Sequence, residues 1–253
     1  MKAISPVGPT TPSCHQATNN SREPYHFIDA SDSVPSSCSV VLTRDCGPSG
    51  CIATAIQNYT SRVLDTSLDS EQQKEALEFL IHFFGDATQP LHNEALERGG
   101  NSITVRYRRA HTNLHHVWDT NMLEELAGGT KLEDAESWSQ TLVQAITDGV
   151  YKGVADTWVS GLNLADPEGS TLWMSQDANA FVCSYVLKDG IAAVQDVDLS
   201  QEYYQGAVPV LEMQIAKGGY RLAWWLNGLA EQAGSGNGTG IASVGGGVGN
   251  DEL

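Results

Sequence analysis

Apolar residues recur at helical spacing along most of the chain. Ile52, Ala55, Ile56, Tyr59 and Val63 are three or four positions apart, as on the buried face of an amphipathic helix. The same period predicts further helices over residues 70–84, 113–126, 135–146, 172–186 and 211–229, the last of them interrupted at Gly218-Gly219. Because helical periods dominate and no alternation of strands with helices is visible, we predict a mainly α fold in a single multi-helix domain.

Two internal segments depart from the helical pattern. Residues 102–109 alternate apolar and polar positions after Gly99-Gly100, which predicts one short hairpin. Residues 32–50 are rich in turn-forming residues and predict an irregular loop region.

The two ends of the chain lack any apolar period. Residues 1–22 are polar and contain prolines, and residues 233–253 are rich in Gly and Ser. Both compositions are typical of disordered or flexible segments. The folded domain is therefore predicted to span residues 23–232.

The helix predicted over residues 70–84 is apolar on nearly every side around His82. It begins with a capping box of the form Ser-x-x-Gln at Ser70 and Gln73. A helix with apolar residues all round is usually buried. His82 and the following Asp86 would then be buried as well, and a buried ionised carboxylate is costly unless a cation or a hydrogen-bond donor compensates it.

Histidine and aspartate recur at the spacing of metal ligands. His82 and Asp86 are four apart, so they lie on one face of a helix, and His115 and Asp119 repeat this spacing. Pro90 ends or kinks the first helix, so that His92 can turn back towards the same face. One such pair is usually a surface hydrogen bond, but two pairs and a further histidine indicate a zinc site.

Three motifs around these residues resemble a known family. They read H-F-F-G-D-x-x-Q-P-L-H from His82, G-G-N ending at Asn101, and N-L-H-x-x-W-D-T from Asn113. They are similar to the single-strand-specific zinc nucleases of the mung-bean-nuclease type, which are distant relatives of zinc-dependent phospholipase C. The resemblance covers Tyr25 to about Gln232 and implies the helical fold shared by these two groups.

The resemblance also implies a ligand set for zinc, of which the family binds three ions. His26 enters this set because the motif Y-H-F-I-D around it matches that of the family. The implied ligands are His26 and His82 for one zinc, His92, His115 and Asp119 for a second, and Asp86 as a bridge from the first zinc to a third.

The implied activity is hydrolysis of single-stranded DNA and RNA to 5′-phosphorylated nucleotides, together with 3′-nucleotidase activity. A zinc-activated water would be the nucleophile. Phe27 would stack on a base, Asp29 would hydrogen-bond to the base edge, and Asn101 would line the same pocket. Core packing is the alternative role for Phe27. Arg98 stands where a small apolar wall of the base pocket is expected.

Net charge constrains the partners. The formal charge is -17, which argues against sequence-specific binding of duplex DNA, whereas bound zinc ions can themselves hold phosphate. Two interpretations stay open for Arg106, Arg108 and Arg109: contact with the phosphate backbone, or a solvated basic strand.

Cysteines, sequons and hydropathy bear on the compartment. The resemblance implies disulfides Cys46–Cys51 and Cys38–Cys183 and a secreted protein, which we expect to be monomeric and N-glycosylated at Asn58. No run of eighteen apolar residues exists, so no contact with a membrane is expected.

The match fails near the start of the chain. Family members begin with a Trp whose amino group binds zinc, followed by a His and an Asp, and no Trp or Asp precedes Tyr25 here. We therefore expect fewer than three zinc ions. Two explanations are open: the sequence comes from a truncated gene model, or the chain is a family member that only binds metal or nucleotide. A zinc phospholipase C is a third hypothesis, against which Asp119 argues because those enzymes carry Glu there.

Overall fold

The computed structural model describes residues 23–236, and helices dominate this part of the chain. The only sheet within these residues is an antiparallel pair of strands, β1 Thr104–Tyr107 and β2 Ala110–Asn113. The α-helices are α1 Leu42–Asp45, α2 Ile52–Leu64, α3 Ser70–Asp86, α4 Leu114–His116, α5 Met122–Ala127, α6 Leu132–Thr147, α7 Pro167–Phe181 and α8 Glu202–Gly236. The predicted mainly α fold with one short hairpin is confirmed.

Short non-α turns connect or extend these helices. A π-helical turn, Val117–Asn121, joins α4 to α5, and a second one, Val182–Val186, extends α7. Turns of 3-10 helix occupy Glu23–His26, Pro90–Asn93, Ala155–Val159 and Ile191–Ala193. The helices predicted over residues 113–126 and 172–186 therefore each contain a π-helical turn, a feature often found at functional sites.

Two sequence-based boundaries were wrong. Helix α8 runs through Gly218 without interruption, because Gly218 is packed against Thr88: a Cβ added there would lie 2.9 Å from the Thr88 methyl group. Helix α3 is capped by Asp69, whose side chain accepts a hydrogen bond from the backbone N–H of Gln72. The capping box therefore begins one residue earlier than predicted.

Of the two predicted flexible ends, the structure describes only residues 233–236. Helix α8 extends to Gly236, so the first residues of the segment 233–253 are helical. The rest of that segment and residues 1–22 lie outside the described residues. Cys14, which the resemblance leaves unpaired, and the sequons at Asn19 and Asn237 lie there too.

Two apolar clusters form most of the core. The first packs α2 against α3 and the C-terminal half of α8, with Ile56, Phe84 and Trp225 fully buried. The second lies between the hairpin, the π-helical turn after α4 and the N-terminal half of α8, around Leu114 and Trp118. His82 lies on α3, which packs in the first cluster, and His115 lies on α4, which packs in the second. The ligand motifs therefore come from both parts of the core.

Two disulfides tie the irregular region to the helices. Cys38 and Cys183 join the loop before α1 to the π-helical turn after α7, and Cys46 and Cys51 close the loop before α2. Both pairings implied by the family resemblance are confirmed. Among the described residues, none of the helices combines the length and apolar character needed to cross a bilayer.

Candidate metal centre

The last turn of α3 forms one half of the site. Nε2 of His82 lies 3.1 Å from Oδ2 of Asp86, which is only 1% exposed. His26, at the end of a 3-10 turn, brings its Nδ1 within 2.9 Å of the same Asp86 oxygen and 3.0 Å of His82 Nε2. His26, His82 and Asp86 therefore form a first triad, in which two imidazole nitrogens and one carboxylate oxygen converge.

The second triad consists of His92, His115 and Asp119. Nε2 of His92 lies 3.3 Å from Asp119 Oδ1, and Nε2 of His115 lies 3.1 Å from Asp119 Oδ2. His115 and Asp119, four residues apart, stay in contact although Asp119 lies in a π-helical turn and not in an α-helix. The two triads are neighbours, because Nδ1 of His92 is 4.0 Å from Oδ1 of Asp86.

Backbone carbonyls fix the imidazoles of the second triad. Nδ1–H of His92 donates to the carbonyl oxygen of His26 at 2.7 Å, and Nδ1–H of His115 donates to that of Gly99, also at 2.7 Å. Since a carbonyl only accepts, Nδ1 of each ring donates, and Nε2 is the nitrogen that points towards Asp119. Such carbonyl contacts are the usual support of metal-binding histidines.

Gly99 is required for this support. Its φ is +60°, a conformation that favours glycine, and a Cβ would lie 2.6 Å from the carbonyl oxygen of Leu91. A side chain here would displace the backbone that holds His115. The glycine pair that sequence analysis placed at a turn thus also orients a candidate ligand.

The donor set fits zinc. Four ligand atoms arranged as a tetrahedron around zinc at its usual bond lengths are about 3.3 Å apart, close to the 2.9, 3.0 and 3.1 Å separations in the first triad. In the second triad, two imidazole nitrogens and a carboxylate converge in the same way, and all of these are groups that bind zinc.

Both aspartates are held in the ionised form. Burial by itself raises the pKa of Asp86, but His92, His26 and His82 outweigh it and hold the pKa of this carboxyl below its usual range. The pKa of Asp119 is lowered in the same way, with His92 and His115 opposing the effect of burial. The chain therefore places negative charge where a cation would bind.

Known proteins share most of this chain. A family model described as S1/P1 Nuclease matches residues 11–231. Nuclease P1 of Penicillium citrinum is 52% identical over 202 residues, 80% of this chain and 75% of the relative. Nuclease S1 of Aspergillus oryzae (strain ATCC 42149 / RIB 40) is 50% identical over 210 residues, 83% of this chain and 73% of the relative. Endonuclease 2 of Arabidopsis thaliana is 32% identical over 223 residues, 81% of this chain and 70% of the relative.

The chain belongs to the S1/P1 nuclease family. The resemblance found in the motifs is confirmed, and the chain is a member of a family of hydrolytic nucleases.

The residues predicted to bind a base lie beside this centre. Phe27 directly follows His26 and is half-buried, whereas Asp29 and Asn101 are exposed. The amide of Asn101 donates to the carbonyl oxygen of Arg98. Among the described residues, neither Asp29 nor Asn101 hydrogen-bonds to a triad, so the binding of a base by these three residues stays a prediction.

One supporting residue was missed by sequence analysis. Gln89 is 1% exposed, and its Nε2 donates to Oδ1 of Asp119 at 2.9 Å. The signal was present in the Gln-Pro-Leu-His motif, where a polar side chain precedes Pro90 within a buried turn. His111 and His116 are both exposed and belong to neither triad.

A third group of acidic and sulfur atoms does not resemble a zinc site. Asp32, Cys38 and Glu94 bring one oxygen or sulfur atom each within 4.8 Å of the others. Cys38 is bonded to Cys183, so its sulfur is not a thiolate.

Proposed function

We propose that this chain hydrolyses phosphodiester bonds of single-stranded DNA and RNA with one zinc ion on each triad. The observation that carries the proposal is the convergence of three ligand atoms in each of two neighbouring triads. When bound, zinc supplies positive charge for a phosphoryl oxygen and a water that ionises near neutral pH. The expected products are 5′-phosphorylated nucleotides, and 3′-nucleotidase activity is expected with them.

The chain's own residues would position the metal and the strand. Asp86 faces the first triad with Oδ2, and its Oδ1 lies 4.0 Å from His92, which supports a bridging role. Phe27 offers an aromatic face beside His26, and stacking on such a face tolerates any base of a single strand. Asp29 and Asn101 would contact the edge of that base.

The same proposal extends to the state of the protein. Two disulfides favour an oxidising compartment and therefore secretion. Asn58 is exposed on α2, so an N-glycan at its Asn-Tyr-Thr sequon would project into solvent. We propose a secreted monomer with a glycan at this position.

The full chain should first be loaded with zinc and analysed for metal content. We expect two zinc ions per chain and cleavage of a single-stranded oligonucleotide, with duplex DNA and phosphatidylcholine left intact. His115→Ala should lose one zinc ion and the cleavage. Its exposed neighbour provides the matched control, since His116→Ala should keep both.

Three results would contradict the proposal. Two bound zinc ions without cleavage would favour a protein that only binds metal or nucleotide. Turnover of phosphatidylcholine would favour a phospholipase. Cleavage without bound zinc would show that the triads are not the catalytic centre.

A further inference from the structure

The segment that links the two halves of the second triad has an unusual charge for this protein. Residues 98–118 contain no Asp or Glu and hold four of the chain's 14 lysines and arginines, although the net charge is -17. These four residues are Arg98, Arg106, Arg108 and Arg109.

Half of the lysines and arginines within residues 23–236 are already engaged by acids. The paired ones are Arg44, Lys74, Arg108, Lys152, Lys217 and Arg221. Arg98, Arg106 and Arg109 are exposed, and within residues 23–236 none of them forms an ion pair. Three unpaired guanidinium groups therefore lie within twelve positions of one another along the chain.

The fold arranges these three arginines outward from the candidate metal centre. Arg98 precedes Gly99, whose carbonyl holds His115. Strand β1 pairs Thr104 with Asn113, which is two residues before His115. Arg106 is two residues further along β1, about 6.6 Å from Thr104 at the usual rise of a strand.

Arg109 stands at the far end of this row. Arg109 lies in the hairpin turn between β1 and β2. The φ of Arg109 is +72°, and that of Arg98 is +58°. These left-handed conformations are uncommon outside glycine. Arg106 and Thr104 lie on the same exposed face of β1, whereas Val105 is buried beneath them.

We propose that Arg98, Arg106 and Arg109 form a phosphate-binding row that holds the backbone of a single strand beside the metal centre. This inference rests on the proposed function and adds the path of the substrate beyond the cleaved bond. Because the rest of the surface is acidic, a polyanion gains favourable contacts along this row, and guanidinium groups bind phosphate oxygens with bidentate geometry. Arg108 is not part of the row, since Glu125 binds it at 2.6 Å.

The test measures binding rather than turnover. Zinc-loaded full-length chain is titrated with a fluorescent phosphorothioate oligothymidylate, which keeps its charge and resists cleavage, across a range of salt concentrations. Each phosphate held on a single strand contributes about 0.7 to the slope of log affinity against log salt. The combined variant Arg98→Gln, Arg106→Gln and Arg109→Gln should lower this slope by about 2, and Arg98→Gln alone by about 0.7.

Arg62 provides the control. It has no ion pair within the described residues, and it lies ten residues along α2 from Ile52, whose N–H donates to the carbonyl of Phe27. At the usual helical rise, Arg62 lies about 15 Å along α2 from Ile52. Arg62→Gln should leave the slope unchanged.

The outcomes separate this inference from the proposed function. An unchanged slope in the combined variant overturns the row, even if the wild-type chain cleaves single strands. A reduced slope supports the row even if the chain cleaves nothing, in which case only the proposed function fails. If the combined variant does not fold, the single Arg98→Gln variant decides.

Discussion

Two partly buried clusters of charged residues within residues 23–236 are balanced in different ways. In the first, Asp177 of α7 accepts hydrogen bonds from Nζ of Lys217 at 2.8 Å and from Nη2 of Arg221 at 2.9 Å. In the second, the triads set the carboxylates of Asp86 and Asp119 against imidazoles.

The Asp177 cluster carries its own cations. Arg221 is 1% exposed, its Nε donates to the carbonyl of Trp158, and its guanidinium lies 4.7 Å from the centre of the Trp173 ring. Burial lowers the pKa of Lys217, and the hydrogen bond and charge of Asp177 oppose this effect. Two cations meet the Asp177 carboxylate within the fold, so this cluster requires no external ion, although Nη1 of Arg221 is buried without a hydrogen-bond partner among the described residues.

The metal centre is balanced differently. The described groups that contact Asp86 and Asp119 are imidazoles and the Gln89 amide, and not lysines or arginines. Burial of charge alone therefore does not mark a binding site. A buried carboxylate marks one where its neighbours are themselves side chains that bind metal.

Removing the carboxylate of the second triad should have the largest effect. Asp119→Asn leaves two imidazoles without their anionic partner, so we expect loss of one zinc ion. Nuclease activity should fall on the order of 10³- to 10⁴-fold, because a bound metal supplies several kcal/mol of transition-state stabilisation. Zinc content and single-strand cleavage measure the two effects. An Asp119→Asn protein with two zinc ions and full activity would contradict the comparison.

Removing the carboxylate of the other cluster should instead destabilise the fold. Asp177→Asn leaves Lys217 and Arg221 buried without their anion, which costs about 3 kcal/mol, the low end of the usual range because Asp177 is 30% exposed. Denaturant unfolding measures this loss, and zinc content should stay unchanged.

The exposed pair of Asp148 and Lys152 is the matched control for this prediction. Asp148→Asn should change the free energy of unfolding by less than about 0.5 kcal/mol, because surface pairs contribute little. If Asp177→Asn unfolded at the same denaturant concentration as this control, the cluster would not stabilise the fold as argued.

Zinc removal should distinguish the stability contributions of the two clusters within a single protein. At a free zinc concentration about 100 times the dissociation constant, each bound zinc ion adds about 2.7 kcal/mol to the free energy of unfolding. A chelator should remove this increment. The increment should be the same in wild type and Asp177→Asn, because the two clusters share no hydrogen-bond partner and distant effects add. Thermal unfolding with and without chelator measures it, and an increment that vanished in the variant would show that the clusters are coupled.

The sequence predicted the metal centre better than the other cluster for a physical reason. His82 and Asp86, like His115 and Asp119, are four apart on helices, so their proximity follows from helical geometry alone. Asp177 and Arg221 are 44 positions apart on different helices. Their contact depends on how α7 packs on α8, which no local period encodes.

Details of packing were equally out of reach. The pair Gly218-Gly219 was interpreted as a break because glycine disfavours helices, but close packing of Gly218 on Thr88 keeps α8 intact. The nitrogen that each imidazole offers, and the role of Gln89, depend on the course of the backbone around Gly99 and Pro90. Neither is visible in the spacing of residues.

The smallest predicted effect concerns Gln89, which supports the metal centre without belonging to a triad. Gln89→Met keeps the volume but removes the hydrogen bond to Asp119, so we expect about 10- to 100-fold weaker zinc binding at the second triad. Competition with a chromophoric chelator measures this change. Gln214 is the matched control, because it is equally buried at 1% exposure but its Nε2 donates to the backbone carbonyl of Thr88 at 2.8 Å. Gln214→Met should destabilise the fold and leave zinc affinity unchanged; equal weakening by both variants would mean that Gln89 acts through packing and not through Asp119.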